Sequence, residues 1–162
     1  MEHILVKKNF KHVVTVKSFD GALEELSPVS ELSQNDIKGL LLGLKELHSA
    51  GITVCDIKVG RSADGQIKLT DLSTFGYQDS DPINTRYNLP EPKYVKYKSD
   101  IWCMGCFIMG KNIPKRFTKT QELLNLYIKD SSEYLKHLIV LDPNGRNLDF
   151  IKEESHDGCI IH

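Results

Sequence analysis

The sequence predicts a mainly α fold of the α+β class, a helical bundle carrying small β-hairpins. Three observations predict it. Ile37, Leu40, Leu41, Leu44 and Leu47 recur at helical spacing and form one apolar stripe. Asp100 to Met109 is apolar nearly all round, the pattern of a helix buried on every side. Asp64-Gly65 stands between two short β-prone runs, a hairpin signal. The 162 residues are enough for one domain, and a domain of this size buries about 70% of its unfolded surface.

The elements follow in order. Residues 1–20 alternate loosely in strand fashion through Ile4, Val6, Phe10, Val13, Val14 and Val16, and Phe19-Asp-Gly21 punctuates them, so one hairpin is expected there. Ala22 to Leu26 reads as a short helical turn ended by Ser27-Pro28. Ser33 is a good N-cap with Asp36 three residues on, and Gly51 closes the following helix at its C′ position. Strands are expected at Ser62-Ala63 and Gln66 to Thr70. From Leu72 to Lys98 the chain lacks periodicity, and an irregular segment of that length is often functional. Thr118 to Ile128 and Ser131 to Leu141 read as two amphipathic helices, the second stopped by Asp142-Pro143. Asn147 is placed to cap a last short helix through Ile151, and the tail 153–162 is polar and expected to be mobile.

Composition excludes several classes of function. Hydrophobic residues make up 40% and charged residues 27%, ordinary for a globular protein. A net charge of −1 gives no electrostatic case for nucleic acid or a membrane surface. The local basic cluster Lys93-Tyr-Val-Lys-Tyr-Lys98 reads as a solvated loop. No apolar run reaches the ~18 residues that span a bilayer, and Met1 to Lys8 lacks a signal-peptide layout. Cysteines at 55, 103, 106 and 159 are too few and too scattered for a disulfide framework, which points to free thiols and a cytoplasmic or nuclear setting. Cys103 and Cys106 make a C-x-x-C inside the apolar helix, with no second pair, and are expected to be buried core thiols.

Five short motifs then appear in a telling order. Leu44-Lys-Glu-Leu-His48-Ser-Ala-Gly51 ends the long helix, and Val54-Cys55-Asp56-Ile-Lys58 follows it. Leu89-Pro90-Glu91 comes after the irregular segment, then Ser99-Asp100-Ile-Trp102-Cys-Met-Gly105, and last Leu141-Asp-Pro-Asn-Gly-Arg146. This series resembles the C-terminal lobe of a eukaryotic-type protein kinase, from about Val13 to about Ile151. The resemblance implies a lower lobe over residues 21–152, with a short β-hairpin remnant of the upper lobe and hinge over residues 1–20. It also implies structural roles. Glu91 and Arg146 should form a buried ion pair, Asp100 should accept backbone N–H bonds from the loop around Asp56, and Trp102 should lie in the buried helix.

The same resemblance marks a damaged active site. A working kinase carries His-Arg-Asp in its catalytic loop, an Asn five residues on, and then Asp-Phe-Gly. Here the corresponding places read Val54-Cys55-Asp56, Arg61 and Asp71-Leu72-Ser73. By this resemblance Asp56 and Lys58 are residual catalytic positions, and Asp71 is a magnesium ligand. Val54, Cys55, Arg61, Leu72 and Ser73 are altered. A guanidinium at the position of the missing Asn would oppose a second metal, unless it swings away or replaces the metal as the phosphate's counter-charge, since unit charges about 4 Å apart repel by ~4 kcal/mol at an effective dielectric near 20. No G-x-G-x-x-G occurs to cradle phosphates. Thr74, Tyr77, Ser80, Thr85 and Tyr87 offer hydroxyls for phosphorylation, without the Arg that usually grips such a phosphate.

The expectation is therefore a truncated pseudokinase, similar to truncated viral kinase mimics. It would act as a binding module or inhibitor in kinase signalling, with a protein kinase or a kinase substrate as partner and no nucleic acid or membrane. No cofactor is expected. The alternative is a degenerate serine/threonine kinase that still takes ATP and Mg, and retention of Asp56, Lys58 and Asp71 is its argument. The ending Cys159-Ile-Ile-His162 has the form of a prenylation signal, but His is an unusual last residue and no polybasic stretch adjoins it.

Overall fold

The computed structural model describes residues 26–54, 56–69, 76–83, 85–129 and 133–152. The expected N-terminal hairpin, most of the Ala22–Leu26 turn, Cys55, Asp71, Leu72, Ser73 and the tail with Cys159 lie outside the described residues. Among the described residues the fold is α+β, helices with one small two-stranded antiparallel sheet. No helix among them is long and apolar enough to cross a membrane.

Helix α1 spans Gln34–Ser49. Its start is a complete capping box: Ser33 Oγ accepts the Asp36 N–H at 3.0 Å, and Asp36 Oδ2 accepts the Ser33 N–H at 2.9 Å. Its apolar stripe is buried, with Leu40, Leu41, Leu44 and Leu47 wholly without solvent contact. The helix ends because Gly51 takes a left-handed φ of 80°, a conformation in which a Cβ would clash.

Strand β1 is Val59–Arg61 and β2 is Ile67–Leu69, paired with Val59 opposite Leu69 and Arg61 opposite Ile67. The hairpin is thus real, but its first strand precedes the expected Ser62-Ala63. The reason is Asp64. Its carboxylate accepts from the Ser62 hydroxyl and from the Gln66 N–H, which draws Ser62 and Ala63 into the turn. On its other side β1 meets Ser27, whose N–H and C=O both bond Arg61 at 2.8 and 2.9 Å.

Helix α2, Lys98–Met109, is buried from Ser99 through Cys106. Gly105 lets the following elements come close: a Cβ there would lie 2.5 Å from Ile139 Cδ1. Cys103 and Cys106 are buried thiols outside any disulfide among the described residues, and burial pushes the Cys106 thiol up to about 12.

The last third departs from its amphipathic pattern. A 3₁₀ turn, Lys115–Thr118, precedes helix α3, Gln121–Ile128, because Thr120 is the cap that accepts the Leu123 N–H. Helix α4 covers only Leu135–Leu138, not the whole of the expected 131–141, of which 131–132 lie outside the described residues. The Gln121 side chain explains the early end, donating to Ile139 O at 3.3 Å and accepting from the Leu141 N–H at 2.8 Å. The helix expected from Asn147 is a single turn closed by Asn147 Oδ1 on the Asp149 N–H and by the Ile151 N–H on Leu148 O. One apolar cluster joins α1, the hairpin, α2, α3 and α4.

Candidate functional site: the loop between α1 and β1

The loop from Gly51 to Lys58 is held from below by Asp100. That carboxylate is fully buried at the start of α2. Its Oδ2 accepts from the Val54 N–H and contacts His48 Nε2, each at 2.8 Å, and its Oδ1 accepts from the Tyr94 hydroxyl. Burial pushes the Asp100 carboxyl above its ordinary range, and the contacts with His48, Tyr94 and the Val54 N–H pull the other way. Three separate segments therefore meet on one side chain. Val54 itself points into the core at 2% exposure, and Thr53 Oγ1 donates to Tyr77 O at 2.8 Å.

Asp56 stands at the end of this braced loop. Its Oδ1 is buried and makes no hydrogen bond. Two cations face it at 3.8 Å, Lys58 Nζ beside Oδ2 and Arg86 Nε beside Oδ1, too long for a hydrogen bond but close enough to balance its charge. Arg86 Nη2 donates to Ile57 O at 3.0 Å, laying the guanidinium along the loop. The residues after Arg86 are fixed in turn: Asn112 Nδ2 donates to Arg86 O, and the Asn88 N–H donates to Asn112 Oδ1.

Arg61, at the altered position, ends strand β1. The hairpin turns the residue toward α1, where Nη1 and Nη2 reach the two oxygens of Asp36 at 3.1 and 3.0 Å and Nη1 also reaches Gly65 O at 2.9 Å. The Arg61 guanidinium holds the Asp36 carboxyl below its usual range. Its charge is committed to the helix cap and not to a metal position beside Asp56. Asp71, the expected magnesium ligand, lies outside the described residues. Among them no group of three or more His, Cys, Asp or Glu side chains is placed to hold a metal.

Glu91 and Arg146 form a bidentate ion pair at 2.7 and 2.8 Å. Arg146 has no solvent exposure, and its remaining donors go to Val140 O, Lys98 O and Leu141 O, so all five guanidinium N–H groups are used. The guanidinium lies 4.9 Å from the Trp102 ring, and Trp102 Nε1 donates to Asn88 O. Ser99 Oγ adds a bond to Glu91 Oε2.

Sequence reasoning missed Arg86, Tyr94 and the second duty of Asp36. Arg86 and Tyr94 lie in a segment without periodicity, and nothing local marks either side chain. Asp36 showed only as a cap, although a carboxylate has acceptor sites to spare for an arginine. No protein-family model matches the chain, and no curated protein matches it.

Proposed function

We propose that the chain is a non-catalytic binding module built like the lower lobe of a protein kinase, acting in the cytoplasm by docking on a protein kinase or a kinase substrate. The observation that carries this is Asp56, held by an Asp100-braced loop yet covered by Arg86. A base for phosphoryl transfer must be open to the incoming hydroxyl. Here Arg86 Nε lies 3.8 Å from Asp56 Oδ1, and that oxygen is buried. The Glu91–Arg146 tie and the Asp100 hub join the parts of the chain that the kinase motifs would join, which supports a retained scaffold under an altered site.

The test is thermal unfolding of the full chain with and without Mg·ATP, alongside labelling with radioactive ATP. A ligand of the folded state at a hundredfold excess over its Kd stabilises by about 2.7 kcal/mol. The expected result is no shift at millimolar ATP and no label. A magnesium-dependent shift with label that disappears in Asp56→Asn would overturn the non-catalytic assignment. One observation favours that second reading, a weak serine/threonine kinase: the Asp56 side chain keeps 23% of its surface exposed on a loop braced by Asp100. Binding is tested separately, by titrating the isolated upper lobe of a protein kinase and a kinase substrate protein into the chain. Absence of any complex with either would remove the docking function.

A further inference from the structure

We propose that the outer face of α3, with the turn before it, is a docking site for an acidic peptide segment anchored by a bulky apolar side chain. The argument stands apart from any kinase likeness. Leu126 and Leu123 are 65% and 38% exposed, the exposed large hydrophobic residues among those described. They lie three residues apart on one helix face, and Tyr127, four after Leu123, continues it. Leu124 and Ile128 already supply the buried face of the same helix, so the outer leucines are surplus to the core.

Charge says what would cover them. From Lys111 to Lys129 the chain carries Lys111, Lys115, Arg116, Lys119 and Lys129, all exposed, against the single acid Glu122. The whole chain has a net charge of −1, so this surface is basic against the trend of the molecule. Two of the cations are held in place. Phe117 and Tyr127 pack at a 34° tilt with ring centroids 4.7 Å apart, Arg116 lies 4.8 Å from the Phe117 centroid and Lys111 Nζ lies 4.9 Å from that of Tyr127. Cations held against ring faces keep fewer rotamers, so less freedom is lost when they meet a carboxylate.

The same pair disfavours nucleic acid. The two rings pack on each other at a 34° tilt and a cation lies over each, which leaves less ring face for a base. A membrane surface fits less well than a peptide, because one turn with two leucines is a small apolar face for an interfacial helix. A short acidic segment with one apolar anchor matches the excess of cations and the two exposed leucines.

The experiment measures binding of a fluorescein-labelled pool of short peptides, degenerate in alternating Asp/Glu and Leu/Ile/Phe, to the full chain. Phosphatidylserine vesicles and poly-uridine are run in parallel. The pool is expected to bind, to bind less at high salt, and to weaken roughly tenfold or more in each of Leu126→Ser and Arg116→Glu. Both side chains are exposed, so circular dichroism and the unfolding midpoint should stay as in the parent. No binding of the pool, or binding equal in the parent and both variants, would overturn the proposal. So would vesicles or poly-uridine binding more tightly than the pool with loss in the same variants, which would assign the face to that surface instead.

Discussion

Arg146 has its full donor set satisfied inside the protein, and its carboxylate partner is nearly as enclosed, at 0% and 7% side-chain exposure. Such a pair adds little net stability over an apolar equivalent, but breaking it strands a charge. Arg146→Ala is expected to cost about 3–5 kcal/mol in denaturant unfolding, because Glu91 is left buried and unpaired. Trp102, the single tryptophan, lies beside the guanidinium and reports the change by fluorescence. The double variant Glu91→Gln, Arg146→Met should recover part of the loss. Asp36 gives the pH prediction. Its folded pKa is lowered by Arg61, below the ordinary 3.8. Its contribution is therefore complete above the unfolded value and is lost as pH falls through the folded one. Asp36→Asn should flatten the decline of the unfolding midpoint below about pH 4 while also lowering the midpoint at neutral pH. An unchanged acid limb would mean that the Asp36–Arg61 pair does not titrate with folding.

Elements were legible in the sequence where local signals agreed with the tertiary outcome. The stripe of α1, its Ser33 cap and its Gly51 stop all point one way, and the helix has those limits to within a residue. The apolar α2 ends at Met109 as expected and starts two residues before Asp100, at Lys98. The last third was misread because side chains distant in sequence decide it. Gln121 binds the backbone of residues 139 and 141 and ends α4 early, and no local pattern encodes that. The hairpin slipped because a turn built by Asp64 takes two residues that look equally suited to a strand. The site divides the same way. Asp56 and Lys58 are marked by a motif resemblance, whereas Arg86 comes to this loop from 29 residues beyond Ile57, whose carbonyl it binds. Packing of α2 on α4 offers a sharp test. A Cβ on Gly105 would lie 2.5 Å from Ile139 Cδ1 and 3.2 Å from Leu138 Cβ. Alanine would gain up to about 1 kcal/mol in helix propensity, but overpacking costs roughly 1–3 kcal/mol. Gly105→Val adds two further methyl groups and a β-branched side chain, so it should destabilise clearly, with Gly105→Ala nearer neutral. Equal stability of Gly105→Val and the parent would show that α4 can move aside freely.

At the scale of the molecule, the decisive fact is that one apolar cluster contains residues of every α-helix among the described residues, together with Tyr94 and Ile113 from the irregular segments. Asp100 and Arg146 tie the same parts by polar bonds: the first joins α1, the loop before Asp56 and the segment before α2, and the second joins that segment to the end of the chain's described part. A structure knit twice in this way has few places to come apart piecewise. Small domains with one core unfold all-or-none. Far-UV circular dichroism, which follows α1 and α2 together, and Trp102 fluorescence, which follows the Asn88–Arg146 neighbourhood, should therefore give coincident midpoints and slopes in urea. α3 is the element to watch, since its contacts with the rest are thinnest on the face that carries Leu123 and Leu126. If it frays separately, hydrogen exchange at residues 121–128 will run ahead of that in α1 while the two spectroscopic transitions still coincide. If the spectroscopic transitions themselves separate, the Asp100 and Arg146 ties do not couple the two halves of the core.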